Sequence, residues 1–154
     1  MAAFFCDSSA IVKRYVNETG SNFVDGLADI KSGNVILLAR ITRVEVVAAI
    51  ARRLKNGSVT TADAQNAVAA FQHDLVNSYF TVEITPVLLS AAMSLATKHA
   101  LRGYDAVQLA AALESNNESL ANRLPPLILV SADTELNTAA QAEGLVVENP
   151  NNYP

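Results

Sequence analysis

Short apolar runs and longer segments of helical period alternate along the whole chain. The runs at 3–6, 35–39, 80–84, 127–130 and 145–147 are bounded by turn or capping residues and have the length of buried strands. Between them, apolar positions recurring every three to four residues predict helices over 9–16, 21–30, 43–55, 61–76, 86–99, 104–114 and 134–143. A strand reaches a parallel neighbour only through a long return path, so this order predicts an α/β fold, a parallel sheet with helices on both faces. Boundary residues agree: Thr60 or Thr61 opens one helix, Pro86 sits in a first turn, and Gly57 and Gly144 follow helices as stops. The segment SNNESLANRLPP, 115–126, is polar and ends in two prolines, which predicts a loop. With no internal repeat and no second composition regime, residues 1–154 read as one domain.

The hydrophobic share is 51% with only 6% aromatics, so the core has to be packed from Ala, Val, Leu and Ile. A net charge of −4 excludes a chain-wide basic footprint; contact with nucleic acid has to come from local Lys and Arg clusters or from bridging cations. Cys6 is the only cysteine, which excludes an intramolecular disulfide and a cysteine zinc cluster and fits a reducing cytoplasm. The opening MAAFFCDSSA has no basic region, and no apolar run nears the roughly 18 residues of a membrane span, so a soluble cytoplasmic protein is expected. His73 and His99 are isolated in helical stretches, and no Gly-rich dinucleotide or P-loop motif occurs.

Four acids fall at related places in this frame. In open α/β sheets, ligands bind beyond the carboxyl ends of the strands, where loops lead into helices. Asp7 directly follows the first strand, and Asp133 lies three residues past Val130 and opens the last helix. Glu45 is in the first turn of the helix after the second strand, and Asp105 begins the helix within LRGYDAVQLAAALE. Each also fits a helix cap: Thr42-Arg-Val-Glu45 reads as a capping box, Asp105 with Gln108 is a close analogue, and Asp7 and Asp133 fit N-caps. Capping accounts for each acid separately but does not require all four on one sheet edge. Clustered carboxylates must protonate, spread apart or bind cations, and an all-oxygen set without His or Cys suits Mg²⁺ or Mn²⁺.

The order Asp7-Ser-Ser-Ala, Thr42-x-x-Glu45, Leu101-x-x-x-Asp105-Ala106 and Ser131-x-Asp133-x-x-Leu136 resembles the PIN-domain nucleases, and the compact length resembles the VapC-like toxins of bacterial toxin-antitoxin pairs. The resemblance implies a three-layer α/β/α fold with a five-stranded parallel sheet of order 3-2-1-4-5. It implies a ribonuclease that uses Mg²⁺ or Mn²⁺ held by Asp7, Glu45, Asp105 and Asp133, leaving a 5′-phosphate and a 3′-hydroxyl. It further implies an RNA substrate, a cognate antitoxin protein and a homodimer. Against the short connection usual in that family, 115–126 reads as a departure.

Around the acids, Ser8, Ser9 and Ser131 fit either a turn cap or a hydrogen bond to a carboxylate or phosphate. Ser131 matches the family's Ser or Thr before its last acid. Arg40 and Arg43 flank Thr42 and are the expected RNA phosphate contacts, whereas Lys13, Arg14, Arg52, Arg53 and Lys55 read as a solvated face. Tyr104 fits packing or stacking on a base, and Cys6 fits the core. Two further readings stand beside the nuclease: a non-catalytic PIN-like binding module, and a phosphoacceptor or phosphatase domain. The last is disfavoured, because Asp7-Ser-Ser lacks a second acid and VEITPV ends without an Asp.

Overall fold

The computed structural model describes residues 1–154 and alternates strands with helices from end to end. The first half comprises β1 (Ala3–Cys6), α1 (Ser8–Ile11), α2 (Ser21–Ala28), β2 (Val35–Ala39), α3 (Thr42–Lys55) and α4 (Thr61–Asn77). The second comprises β3 (Tyr79–Val82), α5 (Pro86–His99), α6 (Gly103–Ala121), β4 (Ile128–Val130), α7 (Thr134–Ala142) and β5 (Val146–Glu148). All strand pairs are parallel, in the order β3-β2-β1-β4-β5. β1 therefore lies between β2 and β4, where the direction of winding reverses. A crevice opens there beyond the strand ends.

Alternation along each strand supplies two cores. Phe5, Leu129 and Ala39 face α5, α6 and α7 in a cluster of 17 buried residues, while Cys6, Val130, Ile36 and Leu38 face α1 to α4 in one of 16. The near-equal sizes show a sheet covered on both faces, the α/β/α arrangement. No helix is long and apolar enough to cross a membrane.

Most boundaries follow local chemistry. Thr60 Oγ1 accepts the Asp63 N–H at 3.1 Å to cap α4, and Thr85 Oγ1 accepts the Leu88 N–H at 3.1 Å beside Pro86 to cap α5. β3 ends at Val82, short of the expected 84, because its partner β2 ends at Ala39, the residue paired with Val82. β5 begins at Val146 because the Leu145 N–H is spent on the Ala140 carbonyl at the close of α7. α1 is shorter than the expected 9–16 and tightens into a 3₁₀ turn at Val12–Arg14. Ser21 Oγ donates to the Lys13 carbonyl at 2.7 Å, which turns the chain back toward α2.

The largest departure lies at 115–126, where a loop was expected. α6 runs on to Ala121, so the connection to β4 is only 122–127. Ser115 is buried and returns its hydroxyl to the Ala111 carbonyl at 2.9 Å, while Asn116 Oδ1 accepts the Leu127 N–H at 3.0 Å and ties the helix to the head of β4. Arg123, with φ of 59°, ends the run in the left-handed region. Polar residues here mark the solvent side of a long helix, and the expected departure from a short connection disappears.

Candidate active site

Asp7 directly follows β1 and caps α1. Its Oδ1 accepts the Ala10 N–H at 2.9 Å, the backbone being extended at φ −77° and ψ 176°. It is also bound from the neighbouring strand: Ser131 Oγ donates to Oδ2 at 2.7 Å and accepts the Asp133 N–H at 3.1 Å. Ser9 Oγ lies 2.7 and 2.9 Å from the two Asp7 oxygens and accepts the Ala132 N–H at 2.9 Å. These hydroxyls clip the loop after β1 to the loop after β4. Asp7 is only 3% exposed, and burial pushes its carboxyl up to about 7. The Ser131, Ser9 and Ala10 donors oppose that rise, and the nearby Glu45 adds to it.

Asp133 is the N-cap of α7, its Oδ1 accepting the Leu136 N–H at 2.9 Å. The two caps expected at Asp7 and Asp133 are therefore present, and the two expected at Glu45 and Asp105 are not. Ile41, not Thr42, is the N-cap of α3, and it offers no side-chain bond. Thr42 is fully buried, and its Oγ1 accepts from Gln108 Nε2 at 2.9 Å. Glu45 turns the same way: Oε1 accepts from Gln108 Nε2 at 2.6 Å and Oε2 from Ser8 Oγ at 3.2 Å. Burial raises the Glu45 carboxyl, the Gln108 and Ser8 donors oppose it, and Asp105 raises it further.

Asp105 sits in the first turn of α6, whose N-cap is Arg102 without a side-chain bond, and its carboxylate caps nothing. It is half-buried, and its carboxyl is held high by burial first and by Asp133 next, with Arg102 opposing and Glu135 adding. Asp7 thus feels Glu45, Glu45 feels Asp105, and Asp105 feels Asp133: four acids from four parts of the chain form one electrostatic series. None of them takes part in an ion pair.

The series borders a cavity of about 780 Å³. Glu45, Asp105, Asp133, Ser8 and Ser9 line it, and Asp7 lies beneath Ser8 and Ser9. Lys13, Arg52, Arg53 and Arg102 also line it, but Arg40 and Arg43 do not. Arg40 forms a surface pair with Glu83, and Arg43 Nη2 donates to Thr81 on β3 at 3.1 Å. Lys13 and Arg53 share the single carboxylate of Glu18, at 3.1 and 2.7 Å, leaving Arg52 and Arg102 as the cavity cations without an acidic partner within ion-pair distance. Tyr104 is 61% exposed on the same rim and Cys6 is fully buried. Gln108 was overlooked as a site residue. Its signal is present in the sequence, since it is the only polar side chain between Ala106 and Leu113 on a core-facing helix.

No three His, Cys, Asp or Glu side chains are grouped so that they could hold a metal ion. The donors that border the cavity are carboxylates, two of them, Glu45 and Asp105, raised by burial and by neighbouring acids with no ion-pair partner. Hydrated divalent cations suit such a set better than a close-fitting cage would, because Mg²⁺ keeps several waters between itself and its carboxylates.

Comparison with known proteins agrees with this fold. The PIN domain family model matches residues 4–141. Ribonuclease VapC45 and ribonuclease VapC49, from two strains of Mycobacterium tuberculosis, are each 34% identical over 144 residues, covering 94% of this chain and 93% of theirs. Among solved structures, FitAB bound to an IR36 DNA fragment superposes with a TM-score of 0.65 at 15% identity, over 96% of this chain and 94% of that one. VapBC2 from Rickettsia felis, bound to a DNA fragment from their promoter, gives 0.60 at 12% identity over 96% and 98%. With a family match across most of its length and relatives at this identity over nearly all of it, the chain belongs to the PIN domain family.

Proposed function

We propose that this chain is a metal-dependent endoribonuclease, the toxin of a toxin-antitoxin pair, acting on RNA in the cytoplasm. The observation that carries the reading is the series of four acids without ion-pair partners, three lining one cavity and Asp7 buried next to it, together with two free arginines on the same cavity. The M. tuberculosis relatives bear the name ribonuclease, which supports the same substrate class here.

In this reading Asp7, Glu45, Asp105 and Asp133 hold Mg²⁺ or Mn²⁺, directly or through water. Such an ion supplies Lewis-acid activation of water and neutralises charge gathering on the phosphate. Ser131 and Ser9 keep the Asp7 carboxylate oriented by donating to it. Ser8 does the same for Glu45. Arg52 and Arg102 bind the RNA phosphates flanking the cut, the role that sequence neighbourhood had suggested for Arg40 and Arg43. The resemblance to VapC-like toxins supports a small antitoxin protein as inhibitor and a homodimeric nuclease.

Cleavage of labelled RNA tests the reading. Wild type is expected to cut with Mg²⁺ or Mn²⁺ and not with chelator, and folded Asp105→Asn is expected not to cut. The absence of a closed ligand group favours one competitor, a non-catalytic RNA- or protein-binding module. RNA binding without metal-dependent cutting selects that module.

A further inference from the structure

Gln108 is 1% exposed, in the middle of the apolar face of α6. A buried primary amide is retained there although a Leu or Met would pack without polar atoms to satisfy, and its Oε1 is buried with no donor. The other half of the amide is fully used. Nε2 carries two hydrogens, and its two recorded acceptors are Thr42 Oγ1 at 2.9 Å and Glu45 Oε1 at 2.6 Å. The amide cannot be turned over, because that would set its oxygen against the Glu45 carboxylate.

Both acceptors belong to the first turn of α3, and both would otherwise be free to form the capping box that the sequence Thr42-x-x-Glu45 suggests. Gln108 draws them away from it. Glu45, whose carboxylate accepts no backbone N–H, is held instead by Gln108, and Asp105, whose charge acts on Glu45, lies one turn before Gln108 on the same helix. Gln108 therefore ties the acid of α3 to the helix that carries Asp105, while Ser8 donates to the other Glu45 oxygen.

We propose that Gln108 is a positioning residue of this site: its buried amide holds the Glu45 carboxylate on the cavity and in register with Asp105. The proposal rests on the nuclease reading above, and it deepens that reading by naming the group that sets one acid relative to another.

The test is Gln108→Met, which keeps the length of the side chain and removes both donors, read by Mn²⁺ affinity without RNA, by kcat and KM on labelled RNA, and by thermal melting. Melting is expected to fall modestly with the fold retained, because buried Thr42 Oγ1 and the Glu45 carboxylate lose their donor while the unpartnered Gln108 Oε1 also leaves the core. Mn²⁺ affinity and kcat are each expected to fall by about 10-fold or more, with KM for RNA unchanged, as for the removal of partners that orient metal ligands. In a Glu45→Ala background the same substitution should cause no further loss. Mn²⁺ affinity and kcat within twofold of wild type, or losses that multiply with those of Glu45→Ala, overturn the proposal.

A second measurement leaves Gln108 in place, in case the methionine packs poorly. The side-chain amide resonances of Gln108 should be protected from solvent exchange in wild type and shift strongly in folded Glu45→Ala. Unchanged resonances also overturn the proposal. A wild-type chain that neither binds Mn²⁺ nor cuts RNA removes the nuclease reading and this inference together. Full wild-type activity that survives Gln108→Met removes this inference alone.

Discussion

Replacing Asp7 by asparagine is expected to make the metal-free protein more stable at pH 8. The Asp7 carboxyl is almost completely buried, and its folded pKa of about 7 stands well above an unfolded value of about 3.9. Below pH 4 the group is protonated in both states and has no effect on the balance. Between pH 4 and 7 the unfolded chain releases the proton while the folded chain keeps it. The folded state binds more protons in that window, so stability falls as pH rises, by up to about 1.4 kcal/mol per pH unit. Above pH 7 the loss levels off at about 4 kcal/mol, three pKa units at 1.36 kcal/mol each. Asparagine has no such titration. Its Oδ1 can still accept the Ala10 N–H, so α1 keeps a good N-cap. Urea denaturation in chelator at pH 4, 6 and 8 measures the difference directly, because the other carboxyls titrate in both proteins. The variant should match wild type at pH 4 and gain several kcal/mol by pH 8, a gain that shrinks when Mg²⁺ or Mn²⁺ is added. A stability difference independent of pH would refute the reasoning.

Four other outcomes are expected. Ser131→Ala removes a donor from Asp7 and an acceptor from the Asp133 N–H, so it should cost about 1–3 kcal/mol in urea melts at pH 8. Phe5→Ala, at a fully buried position at the centre of the sheet, should cost about 3–5 kcal/mol in the same assay. Gly20→Ala places a methyl 2.4 Å from the Pro150 carbonyl oxygen at a φ of +88°, and hydrogen exchange should show loosening at 150–153 before global unfolding. Arg52→Gln with Arg102→Gln should raise KM for RNA, leave kcat unchanged and flatten the salt slope of binding by about 1.4, as two lost single-strand phosphate contacts require.

Much of this protein is legible before folding because its central strands are buried on both faces and α1, α4, α5 and α7 carry their own side-chain caps. Asp7 and Asp133 show their position by following β1 and β4 directly. Other features depend on direction in space. Arg43 is two residues before Glu45 and faces Thr81 on β3, whereas Arg52 is seven residues after it, two helical turns on, and returns to the cavity. Nearness in sequence therefore does not tell which arginine borders the cavity. The last two turns of α6 contain weak helix formers, and they are held by Asn116 bonding to Leu127, eleven residues away. Gln108 resembled half of a local cap because sequence spacing shows Asp105 three residues before it, but not Glu45 and Thr42 on a different helix.

Asp105 gives the most direct test that the acids act together, since it caps nothing and its loss as a carboxylate costs no helix its start. Mn²⁺ titration of wild type and Asp105→Asn at pH 8, with melting curves to verify the fold, isolates its role in ion binding. Saturable binding by wild type that weakens at least tenfold in an equally stable variant is the predicted result. Equal affinity in the two proteins, or no saturable binding by either, would contradict the account.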